Sequence, residues 1–421
     1  MESLLQLAII WASVFIANIF AEKTRLTPVL FFLFMGALLV NTGILPQKTD
    51  EFIRVFAELG IIVIMFALGF EENTSDFLKS IKRSWGIALF GALAPFFTAY
   101  LIAGYFWENQ NIAIMCGLAM TATAVSLTMV SLKSEGLHRS QAAKGIMTSA
   151  ILDDVASLVF VAILVPIATG ATMVSLPGIG LIVLKALLFF MVIAAVGMWI
   201  LPERPNGMLS LIPGFGRHGV RHILSIGKGE NTTLTVLTVA VLAGLLSHLF
   251  GFHAAVGAYM AGLILKEEYF QIVATPNINH YENTKKILDN VAFSWIGPVF
   301  FVVLGTHIVL EWDILVAVIP QTLVLAFALL VAQIASAGLA ARYTAGFDYA
   351  QSVMVGIGML GRAELAFVVM DIAYVQFGIL NDEAFYTLMG TALILNIAVP
   401  VGIVLWKPYF SRSEEKQARE G

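Results

Sequence analysis

Thirteen stretches of this chain are apolar for long enough to cross a bilayer, and that property decides most of what it can fold into. They cover residues 4–21, 26–44, 54–71, 84–106, 111–132, 142–168, 176–201, 232–250, 252–266, 288–309, 313–342, 350–376 and 384–406. A helical crossing takes about 20 apolar residues, and without water for the backbone only helices and closed barrels can make one. These runs are continuous rather than alternating at every second residue, which reads as helices and speaks against a barrel. Only 12% of the 421 residues are charged, against about 25% in soluble domains, so the whole chain, not one anchor, is built for lipid. The single cysteine, Cys116, excludes an intramolecular disulfide and a CxxC metal or redox centre. No basic segment precedes the first apolar run, so it reads as a retained helix rather than a cleaved signal.

Loop charges orient the chain. Of its 24 basic residues, Lys48 and Arg54 lie in one set of loops, Lys185 and Arg362 lie inside spans, and all the others fall in the alternate loops or the C-terminal tail. By the positive-inside rule this predicts thirteen spans with the N-terminus outside and the C-terminus cytoplasmic. Residues 202–231, rich in Pro, Gly and basic residues, read as a linker between halves. Residues 407–421 read as a short cytoplasmic tail with no regulatory nucleotide-binding domain after it.

Ionisable groups deep in a membrane cost about 2.5–3.5 kcal/mol on insertion scales and default to functional hypotheses. "SAILDDVAS" places Asp153 and Asp154 near the midplane of the sixth span, with no basic residue within eight positions. Neighbouring helical residues point about 100° apart, so the two carboxylates have unequal tasks, one facing a cavity and the other a neighbouring helix. The structural alternative is a capping or packing pair. In the fifth span Thr121 and Thr123, followed by Ser126 and Thr128, are either threonines bonded to their own helix or a break whose carbonyls and hydroxyls ligate a small cation. In the twelfth, "GIGMLGRAE" weakens the helix with glycines and then supplies Arg362 and Glu364. Residues i and i+2 do not face each other on a regular helix. At a break, however, an arginine suits orphan carbonyls and a glutamate suits orphan N–H groups. Gln333 and Ser336 in the eleventh span read as inert packing polars. His248, His253 and His307 lack ligand-spaced companions, which argues against a transition-metal site. No nucleotide-binding, protease or nucleic-acid motif occurs, and nothing supports an enzyme or an organic cofactor.

The interrupted fifth and twelfth spans occupy matching places in trios of opposite orientation, an inverted repeat of the kind expected of a secondary transporter with a midplane site. The segments "TATAVSLTMVSLKSEG", "SAILDDVASLVFVAIL", "HAAVGAYMAGLIL", "PVFFVVLGTHI" and "GIGMLGRAELAFVV", in this order, resemble the monovalent cation/proton antiporter superfamily. The similarity is to its NapA-like and Kef-like branches and covers all thirteen spans. The resemblance implies an NhaA-like fold with two crossing broken helices. Residues 84–168 and 313–406 would be core trios, and 1–71 and 176–309 the dimerisation panel and linker of a homodimer in a bacterial inner membrane. It implies Asp154 as the seat shared by proton and cation, with Asp153 and Thr123 as fellow ligands and Thr121, Gln333, Arg362 and Glu364 in support. Gln333 stands where double-aspartate members carry a lysine paired to the first aspartate.

The expected activity is therefore exchange of Na+ or Li+, or alternatively K+, for H+. Burial disfavours the bare anion, so proton and cation compete for one carboxylate, and hard oxygen ligands suit a small alkali cation. If Asp153 only hydrogen-bonds Gln333, exchange is one-for-one and electroneutral; if Asp153 also titrates, two protons per cation is the alternative. A cation channel, a non-transporting sensor and a sodium-coupled organic-anion symporter are the other function classes considered.

Overall fold

The computed structural model describes residues 2–24, 26–71, 74–170, 231–265, 267–270, 279–362 and 364–420, with isolated positions between 184 and 224. Every regular element among the described residues is helical. The seventh expected span, 176–201, and the linker 202–231 lie essentially outside the described residues. In chain order the helices are α1 (Glu2–Thr24), α2 (Pro28–Asn41), α3 (Glu51–Glu71), α4 (Thr74–Trp107), α5 (Gln110–Ala119), α6 (Val125–Ser134) and α7 (Gln141–Ala168). After the linker come α8 (Thr232–Leu249), α9 (Ala254–Ile264), α10 (His280–Asn290), α11 (Gly297–Gly305), α12 (Trp312–Ala317), α13 (Ile319–Thr344), α14 (Tyr349–Gly358), α15 (Glu364–Asp371) and α16 (Asp382–Glu420). One π-helical turn, Val291–Trp295, joins α10 to α11, and another, Ile372–Gln376, extends α15.

Helix starts follow local chemistry. The side chains of Asn109, Ser140 and Asn279 accept backbone N–H groups at the starts of α5, α7 and α10, satisfying donors that have no intrahelical partner. Asp348 and Gln351 form a reciprocal capping box on α14. α16 differs from its expected span: Pro400 and Pro408 do not stop it, and it continues through residues read as a tail. The segment "SEEKQARE" consists largely of strong helix formers, which explains the continuation.

The chain divides into two compact units. The first comprises Met1–Val14, Lys48–Ser75 and Val174–Val303. Its centre is α3 against α9, where small residues substitute for side-chain interdigitation. A Cβ on Gly69 would strike the Tyr259 carbonyl, and one on Gly262 the Phe66 carbonyl. Close backbone approach of this kind drives helix association where lipid removes the hydrophobic incentive.

The second unit comprises Phe15–Gln47, Asp76–Met173 and Leu304–Gly421. It holds α4 to α7 and α12 to α16. Outward positions of its helices carry large apolar side chains, among them Leu101, Phe327 and Leu405, each about two-thirds exposed. A contiguous apolar exterior like this suits hydrocarbon rather than water. Eight helices among the described residues are long and apolar enough to cross a membrane. Inside the unit, the expected fifth and twelfth spans are both interrupted: α5 and α6 flank residues 120–124, and α14 and α15 flank residues 359–363.

Candidate functional site

The two interruptions cross. The N–H of Ala124 donates to the carbonyl of Gly361 at 2.9 Å, and the Thr128 hydroxyl donates to the carbonyl of Gly358 at 2.6 Å. A Cβ on Gly361 would lie 3.0 Å from that of Ala124, so the third glycine of "GIGMLG" keeps the two strands of backbone within bonding distance.

The first break is held from α7. One oxygen of Asp153, Oδ2, accepts from both the backbone N–H of Thr123 (3.1 Å) and its hydroxyl (2.7 Å). Both residues are buried, Asp153 with no exposed surface. The carboxyl group thus ties down the backbone two residues before α6 begins, at the end of the helix whose dipole favours negative charge. Asp154, the next residue, is half-buried. The pair is unequal as expected, but it is Asp153 that grips Thr123. Thr121 takes the quieter of its two readings, bonding its own helix at the Gly117 carbonyl (2.8 Å).

The second break is held by three groups. α14 ends at Gly358, and the carbonyls of residues 359–361 follow it in the break. The buried guanidinium of Arg362 folds back over them, Nη1 donating to Met359 (3.2 Å), Leu360 (3.2 Å) and Gly361 (3.0 Å). Its Nη2 donates to Oε1 of Gln333 at 2.9 Å, while Gln333 Nε2 donates to the Gly91 carbonyl of α4 at 3.0 Å. Gln333 is therefore no inert packing polar, and both ends of its amide serve partners other than Asp153. The hydrogen bond expected between Asp153 and Gln333 is absent: Nε2, the only group of the amide that a carboxylate could accept from, is turned to the Gly91 carbonyl, and the amide oxygen serves the guanidinium. From α16, Asn396 brackets the Arg362 peptide, accepting from its N–H (2.9 Å) and donating to its carbonyl (2.7 Å). Glu364 opens α15 with its carboxylate in the first turn, again the favourable end.

The Arg362 guanidinium thus covers the carbonyls of one break, and the Asp153 carboxyl group accepts from the N–H of the other. Arg362 and Asp153 act on each other electrostatically across the crossing without a direct ion pair. Three buried polar atoms here have no hydrogen-bond partner among the described residues: Asp153 Oδ1, Arg362 Nε and the hydroxyl of Ser157, one turn along α7. Buried polar atoms are seldom left unpaired, so their clustering marks the crossing as a place for more than packing.

Sequence reading did not single out Asn396 or Ser157. Asn396 is an amide inside the apolar run "LILNIAV", and the criterion that found Asp153 would have found it if applied to neutral amides. Ser157 carries no such signal, since a serine in a membrane helix usually bonds its own backbone.

Comparison with known proteins bears on this site. The family described as "Sodium/hydrogen exchanger, transmembrane" matches residues 9–406. The Na(+)/H(+) antiporter of Enterococcus hirae is 23% identical over 407 residues, covering 95% of this chain and 97% of the relative. The Na(+)/H(+)-K(+) antiporter GerN of Bacillus cereus is 23% identical over 377 residues, covering 87% of each. Among solved structures, the sodium proton antiporter MjNhaP1 of Methanocaldococcus jannaschii superposes with a TM-score of 0.66 at 15% identity, over 95% of this chain and 98% of the other. It shares the fold.

Proposed function

Given that the chain belongs to the sodium/hydrogen exchanger family, we propose that it exchanges Na+ or Li+ for H+ across the membrane by alternating access, with Asp154 as the seat for which the two ions compete. The observation that carries this reading is the crossing itself. Two interrupted helices, bonded at Ala124–Gly361, hold Thr123 against Asp153, the neighbour of Asp154 in the chain, inside a unit otherwise sheathed in apolar side chains. Coupling follows from charge. With a proton or a monovalent cation on Asp154 the site is less costly to carry through a low-dielectric interior, whereas the empty carboxylate is held back by desolvation. Asp153, bound to both donors of Thr123, serves as the helper that shapes the seat, and its second oxygen together with break carbonyls offers the hard ligands a small alkali cation prefers.

The remaining expectations belong to the same proposal: thirteen spans with the N-terminus outside and the C-terminus in the cytoplasm, two trios as an inverted repeat, a homodimer in the inner membrane, and one-for-one electroneutral exchange. K+ is the second reading for the cation, favoured by the Na(+)/H(+)-K(+) activity in the name of GerN. The test is pH-dye exchange in proteoliposomes with Na+, Li+ and K+, comparing the native protein with Asp154→Asn and Asp154→Cys. Exchange should be lost in both variants. Cation-dependent proton flux persisting in either one removes Asp154 from the mechanism.

A further inference from the structure

We propose that Asn396 is a positioning residue for this exchange site, the counterpart in the second break of what Asp153 is in the first. The two arrangements match step for step. Each residue lies on the long helix that follows its broken helix, α7 or α16, and is fully buried. Each ties down a backbone N–H at the break, Asp153 that of Thr123, 30 residues upstream, and Asn396 that of Arg362, 34 residues upstream. Asn396 adds a bond from Nδ2 to the Arg362 carbonyl, so the peptide on both sides of Arg362 is fixed.

What Asn396 fixes is transmitted to the ion seat through bonded neighbours. The peptide it brackets follows Gly361, whose carbonyl accepts from Ala124; Ala124 adjoins Thr123; and Thr123 donates twice to Asp153, beside Asp154. The same peptide sets the root of the Arg362 side chain, whose guanidinium closes the carbonyl end of α14 and reaches Gln333. Asn396 thereby governs the second arm of the crossing without contacting the transported ion.

An amide can both accept from an N–H and donate to a carbonyl, and only one other small group can do so in the same shape: a protonated carboxyl. An ionised carboxylate can only accept, and would set its second oxygen against the Arg362 carbonyl. Asn396→Asp therefore makes the positioning bond conditional on a proton. Arg362 is the charged group next to the substituted side chain. On the helices packed against α16, the other ionisable residues include Lys133, Asp313, Arg342, Tyr343 and Tyr349, which lie in end turns, Cys116 within α5, and Tyr374, stacked on Phe385 near the start of α16.

The inference rests on the proposed exchange activity, and its test separates the two. Purified protein in liposomes is assayed for Na+-driven proton exchange from acid to alkaline pH, for the native chain, Asn396→Asp and Asn396→Leu. Asn396→Asp should approach native exchange at the acid end. It should fall about tenfold below it at the alkaline end, the size expected of a buried hydrogen bond left unmade. Asn396→Leu should be depressed at every pH. A ratio of Asn396→Asp to native activity that stays constant with pH overturns the inference, as does native-like exchange by Asn396→Leu. If Asn396→Leu fails to fold, the pH ratio of Asn396→Asp, measured on one preparation, decides alone. Absence of exchange in the native protein refutes the exchange activity itself, and the positioning role with it.

Discussion

Placing a lysine at position 333, where the resembled double-aspartate members carry one, should damage this protein rather than adapt it, and the size of the damage follows from the geometry. Gln333 has no exposed surface and its Oε1 lies 2.9 Å from Nη2 of Arg362. In Gln333→Lys an acceptor becomes a cation facing a guanidinium at about that distance. Coulomb's law with an effective dielectric of about 20 gives roughly 6 kcal/mol of repulsion, and Arg362 loses a charge-assisted hydrogen bond as well. The Gly91 carbonyl keeps a donor, since an ammonium can replace Nε2 there. Thermal unfolding of the purified protein in detergent should show a melting temperature lower by roughly 5–10 °C, with exchange reduced in parallel. Removing the opposing charge should reverse this. In the double variant Gln333→Lys/Arg362→Gln the buried cation has moved from one residue to its neighbour, and stability should exceed that of Gln333→Lys alone. A favourable coupling between the two substitutions in a double-mutant cycle is the specific signature. If Gln333→Lys melts with the native protein, or the double variant is less stable than both single ones, the bond between Gln333 and Arg362 does not organise the second break.

Two further outcomes follow from the same site. Thr123→Val keeps the shape of the side chain but removes the 2.7 Å hydroxyl bond to Asp153, which should cost about 2 kcal/mol and weaken the apparent affinity for Na+. Thr123→Ser should restore both, and equal behaviour of the Val and Ser variants in melting and exchange assays would deny the bond a role. Bound Na+ should also stabilise the protein against heat, by about 2.7 kcal/mol at a hundred times its dissociation constant. With protons competing for the seat as proposed, that stabilisation should grow as pH rises and be missing in Asp154→Asn; a Na+ shift independent of pH in the native protein would contradict competition.

Much of this arrangement was legible in the residues, and the divide between what was and was not is physical. The two interruptions could be anticipated because glycine, small residues and threonine at a weak point are local properties. The fold-back of Arg362 on carbonyls followed from what a helix end lacks, and the inequality of Asp153 and Asp154 from the 100° between neighbouring side chains. The partner of Gln333 could not be anticipated in this way. Its choice between Asp153 and Arg362 depends on where three helices meet, and no periodicity encodes that. Asn396 was passed over because a neutral amide in an apolar run costs little enough to be mere packing, so only its partners distinguish it. The end of α16 was misplaced for the converse reason: charge marks departure from lipid, which is a different event from the end of a helix.

The bond from Ala124 to Gly361, with that from Thr128 to Gly358 beside it, has a kinematic consequence. A joint pinned at two points about one helical turn apart resists both sliding and swivelling, since either motion would strand buried donors and acceptors. The two arms of the crossing are then a single part in the machine's linkage. In the exchange proposed above, the crossing then travels as one finished vessel, its two bonds kept at every stage of the journey.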